Sequence, residues 1–353
     1  MRVLVIKTSS LGDIIHTLPA LSDARAVYPS ITFDWVVEES FAEIPRWHAA
    51  VDTVIPIGLR QFKREPKALL KSGEWRQWLR KLRAHHYDLV IDVQGLLKSA
   101  LVGCCARSTM RTGFSWRGAR ESVASLLYNQ RVHVPWRQHA VTRTRALFAG
   151  VLGYDFSTRT LDYGIERQHF EPLPLEGGPY CVFLHGTTWD SKHWPESYWI
   201  ALAKKVVDAG YTIQLLWGNP LELARAQRIA LVCEKAVVAP RRYCLSEVVA
   251  ILAAAQAVVT VDTGFGHLAT ALNVPTISLY GPTDPAHSGT FGTKQLSLAA
   301  YFPCSPCFKR TCIYAGQQSI DPPCFVSVNP ERVFKKLMMQ LNACGTNPCT
   351  ISV

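Results

Sequence analysis

Two strand–turn–helix signals, one opening each half of the chain, and a regular alternation of short apolar strands with helices predict an α/β protein of two Rossmann-like, doubly wound domains. In the second half the apolar run Ala257-Val258-Val259-Thr260 leads into Val261-Asp262-Thr263-Gly264-Phe265-Gly266-His267 and then into the small-residue run Leu268–Leu272. A strand that stops in a Gly-rich turn and opens a helix gathers backbone N–H groups and the positive end of the helix dipole at one point, which is a phosphate site. At the N-terminus the strand Val3–Ile6 runs into Lys7-Thr8-Ser9-Ser10-Leu11-Gly12-Asp13 before a helix through Ile14, Ile15 and Leu18. Two such crevices are expected to face each other across a cleft that holds the active site.

The remaining elements extend this pattern. The first half continues with one helix over 14–28, strands Phe33–Val37 and Val51–Pro56, a basic helix ending near Ala84, the strand Leu89–Val93 and a helix begun by Gln94-Gly95-Leu96-Leu97-Lys98-Ser99. Strands separated by helices of this length form a parallel sheet with its ligand crevice at the carboxyl ends of the strands. Residues Glu171–Pro179 have the Pro and Gly density of a linker. Beyond it come Tyr180–His185, a helix from Glu196 to about Ala209, the strand Thr212–Trp217, a helix from Leu221, the strand Val258–Val261 and a short strand ending at Leu279. A helix from Pro330 to about Leu341 closes the fold. The expected organisation is an N-terminal domain over 1–170, a linker over 171–179, a C-terminal domain over 180–343 and a tail over 344–353.

Composition narrows the function classes. A length of 353 residues suits two domains, and 48% hydrophobic with 18% charged residues marks a globular chain rather than a disordered one. Met1-Arg2-Val3-Leu4 enters a strand at once, unlike a secretory signal, and the longest apolar stretch, Val248–Val261, is interrupted by Gln256 and Thr260 and is too short to span a bilayer. A cytoplasmic enzyme is expected. The net charge of +11 is concentrated: between Arg60 and Arg83 nine Lys or Arg stand against two Glu, and Arg107, Arg111, Arg117 and Arg120 follow. Such a surface attracts polyanions, or else serves as a solvated face.

Eleven cysteines without a secretory signal argue against a disulfide framework. Cys104, Cys105, Cys181, Cys233 and Cys244 lie among apolar neighbours and read as small buried hydrophobes. Cys304, Cys307, Cys312 and Cys324 resemble a tetrahedral zinc site at their C-x2-C start, but the later gaps are irregular, so loop thiols without a metal are the default.

The chemistry is expected at the two turns. Thr187, Thr188 and Lys192 lie in a loop between a strand and a helix, at the same end of the sheet as Asp262, Thr263 and Gly264. Hydroxyls, backbone amides and one ammonium converging there form a diphosphate cradle that needs no metal, and the sequence contains no Asp-x-Asp pair to hold one. Glu222, after Trp217-Gly218-Asn219-Pro220, can accept from both hydroxyls of a ribose or simply favour the dipole of its helix. Asp13, at the start of the first helix, is either a general base or a helix-start carboxylate.

Several long motifs then appear in order: Lys7–Ala20, Phe33–Glu39 with Trp47-His48, Gln94–Ser99, Lys192-His193-Trp194-Pro195, Val261–Gly264 with His267-Leu268, and Tyr280-Gly281-Pro282-Thr283-Asp284-Pro285. Together they resemble the lipopolysaccharide heptosyltransferases, an inverting glycosyltransferase family of GT-B architecture. The resemblance covers nearly the whole chain. Its opening is that of the heptosyltransferase I branch, whereas the heptosyltransferase II branch carries a Trp before the Gly-Asp pair; the Cys304–Cys324 segment departs toward the latter.

The resemblance implies transfer of L-glycero-D-manno-heptose from ADP-heptose to the first Kdo of Kdo2-lipid A, with Asp13 as catalytic base and no cofactor or metal. It places Lys192, Glu222, Asp262, Thr263, Gly264 and His267 at the donor, joining Thr187 and Thr188, with Lys192 also stabilising the departing diphosphate. Ser10, Gly12, Arg60, Lys63, Arg64 and Arg120 are the expected acceptor contacts. The expected partners are ADP-heptose, Kdo2-lipid A and, transiently, the cytoplasmic face of the inner membrane, but not nucleic acid. The alternatives are heptosyltransferase II or another ADP-heptose-dependent transferase, and a non-catalytic polyanion-binding protein. The last leaves Asp13, the Thr187–Lys192 loop and the Asp-Thr-Gly turn without a role, and binding of ADP discriminates it.

Overall fold

The computed structural model describes residues 1–58, 73–175, 178–316, 319–343 and 345. The chain divides into two units, Met1–Ile165 and Glu166–Val353. The first holds β1 (Arg2–Ile6), β2 (Thr32–Glu38), β3 (Val51–Ile57), β4 (Leu89–Asp92), β5 (Arg111–Phe114) and β6 (Gln130–Val132). These form one parallel sheet in the order β3-β2-β1-β4-β5-β6. The second holds β7 (Tyr180–Leu184), β8 (Thr212–Leu215), β9 (Ala236–Val238), β10 (Ala257–Val261), β11 (Thr276–Tyr280) and β12 (Gln295–Ala299). Their order, β12-β11-β10-β7-β8-β9, is also fully parallel and is the same topology.

The strands are apolar runs rather than alternating ones because helices cover both faces of each sheet. Val3, Leu4, Val5 and Ile6 of β1 and Val258, Val259 and Val261 of β10 are fully buried. In each unit the strand order reverses beside the first strand, between β1 and β4 and between β7 and β10. The loops that follow those strands turn in opposite directions, so the fold itself opens one crevice at Lys7–Asp13 and another at Gly186–Lys192 with Asp262–Gly264.

Some local expectations change. The helix expected over 14–28 is two, Leu11–Ile15 and Leu18–Val27. Pro19 sits in the first turn of the second, where its missing N–H is harmless, but it could not have continued the first. The apolar stretch 248–261 resolves into the end of the helix Leu245–Ala254 and β10, and among the described residues no helix is long and apolar enough to cross a membrane. Cys181 and Cys233 are buried as expected, but Cys104 and Cys244 are exposed. Cys244 is the N-cap of the helix Leu245–Ala254, and Cys104 stands on the outward face of the helix Leu97–Cys105.

One buried ion pair ties the first unit together. Arg145 donates from Nε to Asp23 Oδ2 at 2.6 Å and from Nη2 to Oδ1 at 3.0 Å, and Nη2 also meets the carbonyls of Phe156 and Arg159. The bidentate geometry and the carbonyls satisfy charges that would otherwise be costly to bury. Arg145→Met strands the Asp23 carboxylate and is expected to destabilise the protein by about 3–5 kcal/mol, measured by urea unfolding. A loss below about 1 kcal/mol would show that the pair contributes no more than a surface one.

Candidate active site

The first crevice is built around Asp13. The helix Leu11–Ile15 begins after Ser10, and Asp13 at its third position folds back, so that Oδ2 accepts from the Ser10 amide and the Ser10 hydroxyl, each at 2.9 Å. Lys7, at the end of β1, brings its ammonium to 3.6 Å from Asp13 Oδ1 while approaching the Val93 carbonyl at 3.5 Å. The Asp13 side chain keeps 36% of its surface open to solvent, enough for a ligand hydroxyl to reach it. Burial raises its carboxyl, but Lys7, the Ser10 amide, His16 and the Ser10 hydroxyl outweigh that and hold it well below the usual carboxylate range. The group is ionised at any physiological pH.

A side chain that sequence reasoning placed in a motif but gave no role supports this loop. Gln94 lies in the turn after β4, and its Oε1 accepts from the amides of Thr8 and Ser9 at 3.2 and 3.4 Å, joining the loops on either side of the strand-order reversal. Its own backbone is held by Asp92, whose Oδ1 accepts from the amides of Gln94 and Gly95 and whose Oδ2 accepts from Ser99 and Tyr128. Burial raises the Asp92 pKa despite these donors. Gly95 has φ of +66° and lies against the Arg120 backbone, so a side chain here would be strained twice. Through that contact and the Glu121 amide bond to the Gly95 carbonyl, the exposed Arg120 comes to this end of the sheet. Gly12 is buried within the first helix. Arg60, Lys63 and Arg64 lie outside the described residues.

The second crevice gathers most of the expected donor residues. Lys192 Nζ pairs with Asp262 Oδ2 at 2.7 Å, both side chains being largely buried. The same oxygen accepts from the Thr283 hydroxyl at 2.7 Å, and Thr187 donates to the Asp262 carbonyl at 3.0 Å. The Lys192 ammonium also lies 4.4 Å from the centre of the Trp189 ring. Thr188 is exposed beside them. The helix Gly264–Ala271 opens here without a side-chain cap from Thr263, leaving its first amides toward the crevice. A Cβ on Gly266 would meet Thr260 at 2.9 Å, so the glycine permits close packing of helix on strand. His267 is buried on that helix.

Glu222 accepts from the Gly218 amide at 2.7 Å and occupies the space that a Gly186 side chain would take, bridging the ends of β7 and β8. Sequence reasoning missed Arg225, one turn on, which donates to the His185 carbonyl at 3.1 Å and lies 2.7 Å from His193 Nδ1. It fixes the strand end from which the Thr187–Lys192 loop departs. Burial, then Arg225, lowers the His193 pKa, so the ring is a neutral acceptor. Cys304, Cys307, Cys312 and Cys324 line one cavity of about 260 Å³, where burial and then the other thiols push Cys324 up to about 12. Among the described residues no group of three or more His, Cys, Asp or Glu is placed to hold a metal ion.

Two doubly wound units, one presenting a lysine-paired carboxylate and the other a Lys-Thr-amide cradle at its strand-order reversal, match the architecture of GT-B glycosyltransferases. The chain belongs to glycosyltransferase family 9 (heptosyltransferase), whose model matches residues 75–317. It is 48% identical to lipopolysaccharide heptosyltransferase 1 of Pseudomonas aeruginosa, over 97% of this chain and 99% of that one. Among solved structures, E. coli heptosyltransferase WaaC with ADP is 43% identical with a TM-score of 0.85, over 96% of this chain and 100% of that one. The same enzyme with ADP-2-deoxy-2-fluoro heptose is 47% identical with a TM-score of 0.78, over 85% and 94%.

Of the groups that hold the Asp13 carboxyl down, Lys7 contributes most. A ¹³C-carboxyl NMR titration is expected to show no Asp13 inflection between about pH 4 and 8 in the wild type, and an inflection displaced upward in Lys7→Met. Identical titrations for the two proteins would remove Lys7 from this role.

Proposed function

We propose that this chain transfers L-glycero-D-manno-heptose from ADP-heptose to the first Kdo of Kdo2-lipid A in lipopolysaccharide inner-core biosynthesis, with inversion at the anomeric carbon. The observation that carries the reading is the second crevice, where Lys192, Thr187, Asp262, Thr283 and the open amides at Gly264 meet. Its support is family membership together with the names of the relatives and the ADP and ADP-heptose analogue that the WaaC structures contain. Lys192 and the helix amides stabilise the charge gathering on the departing ADP, Thr188 and His267 line the donor side, and Glu222 takes the ribose.

In this reading residues 1–170 bind the acceptor and 180–343 the donor. Ser10, Gly12, Arg60, Lys63, Arg64 and Arg120 hold the acceptor, whose Kdo carboxylates and lipid phosphates match the basic first unit, and the enzyme works at the cytoplasmic face of the inner membrane. The acceptor oxygen attacks the anomeric carbon from the face opposite ADP, the bond to the diphosphate oxygen breaks, and Asp13 takes the acceptor proton. A carboxylate held so far below its usual pKa is a weak base. Proton transfer therefore comes late, once the attacking oxygen has become acidic.

Asp13→Ala is expected to lower kcat by about 10²–10⁴ while the ADP Kd measured by calorimetry stays near wild type. A variant keeping more than about a third of wild-type kcat in a chemistry-limited assay would end the assignment of Asp13 as base.

Turnover is expected to survive excess EDTA, because an ammonium and helix amides take the place of a divalent ion at the diphosphate. Activity lost to the chelator and restored by Mg²⁺ would overturn that part of the mechanism.

A further inference from the structure

The first unit turns an apolar face outward. On the helix Leu97–Cys105, Ser99, Ala100, Val102 and Gly103 are buried, yet Leu97 and Leu101, one turn apart on the opposite side, are 41% and 52% exposed. The neighbouring 3₁₀-helix Ser122–Leu127 packs against it through Ala100, Ala124 and Tyr128. With three residues per turn, its Val123 and Leu126 share a face, and they are 46% and 63% exposed. Four large aliphatic side chains on two touching elements thus stand in water.

Cations edge this face. Lys98 is exposed between the two leucines, and Arg131 donates from Nε to the Ser125 carbonyl at 2.7 Å, which anchors its guanidinium beside Leu126. Of the nearby acids, Glu121 accepts from the Leu97 amide at 2.8 Å, and Glu39 and Glu74 line with Lys98 and Leu101 a cavity of about 570 Å³ at the edge of this face. Aliphatic side chains rimmed by cations on short helices that cannot span a bilayer match the interfacial region of an anionic membrane. The face also adjoins the first crevice: the helix starts directly after the Gln94-Gly95-Leu96 turn that holds the Asp13 loop.

We propose that Leu97, Leu101, Val123 and Leu126, with Lys98 and Arg131, are the surface by which this protein docks on an anionic lipid bilayer. The inference rests on the reading that the acceptor is a membrane lipid and specifies the face that meets the membrane. Docking there holds the Asp13 crevice at headgroup level, where a lipid-anchored sugar stands.

The test is flotation of the full-length protein with vesicles of phosphatidylcholine, with and without phosphatidylglycerol. Leu101→Glu/Leu126→Glu is expected to lower the vesicle-bound fraction at least about tenfold, since each leucine contributes several buried carbons. Lys98→Gln/Arg131→Gln should lose only the increment due to phosphatidylglycerol, and Leu231→Glu, a still more exposed leucine of the second unit, should bind like wild type. Melting temperature and turnover of an acyl-free acceptor are expected to stay unchanged in the double-Glu variant, so membrane binding is scored independently of catalysis. Wild-type flotation by the double-Glu variant would overturn the proposal, as would equal loss in Leu231→Glu. Lipid-free dimerisation that the double-Glu variant abolishes would assign the face to a second copy instead.

Discussion

The chemistry of both units depends on one constraint, that parallel strands must be joined by crossovers of a single hand. Once β1 and β4, or β7 and β10, lie side by side with their crossovers leaving in opposite directions, the loops after them part and a crevice is unavoidable. Asp13, Gln94, Lys192 and Asp262 stand in or just after those loops, with Glu222 and Thr283 joining from the segments after β8 and β11. Gln94 crosses from one side of the gap to the other in the first unit, and the Thr187 hydroxyl does so in the second by reaching the Asp262 carbonyl. These cross-gap bonds tie together loops that otherwise depart independently.

The two crevices then use the same device for different ends. Each places a lysine from the loop region against an aspartate, Lys7 with Asp13 and Lys192 with Asp262. At 3.6 Å the first pair is loose and its carboxylate is part-exposed, which leaves the anion available to an incoming group. At 2.7 Å, with a threonine on the same oxygen, the second is tight and largely buried. Spacing and exposure decide whether the pair presents a carboxylate or stores a cation.

The strand–turn–helix units were legible because buried parallel strands are written as short continuous apolar runs bounded by glycine, as at Val3–Ile6 and Val258–Val261. The short strand β5 and the edge strands β6, β9 and β12 were not, since three to five residues such as Gln130–Val132 carry no pattern of their own and form only against a neighbour. The break at Thr17 could have been found from Pro19. Which residues would serve the site was only half legible. Asp13 and Lys192 stand at positions where a turn announces itself, whereas the roles of Gln94 and Arg225 exist only through backbone groups far away in sequence. Cys104 misled because apolar neighbours in sequence do not imply burial on a helix whose outer face is itself apolar.

The tight Lys192–Asp262 pair also sets how the second crevice trades with its ligand. The ammonium is already paired with a carboxylate and largely buried. In the proposed donor reading a phosphate therefore competes with a resident carboxylate for the ammonium, instead of filling a waiting positive hole. The gross attraction is spent partly on that exchange, which moderates affinity, and Asp262 remains beside the cation as a competitor that can reclaim it. In the same reading the carboxylate that holds the ammonium in order also favours departure of the product anion, so one residue bears on both readiness and release.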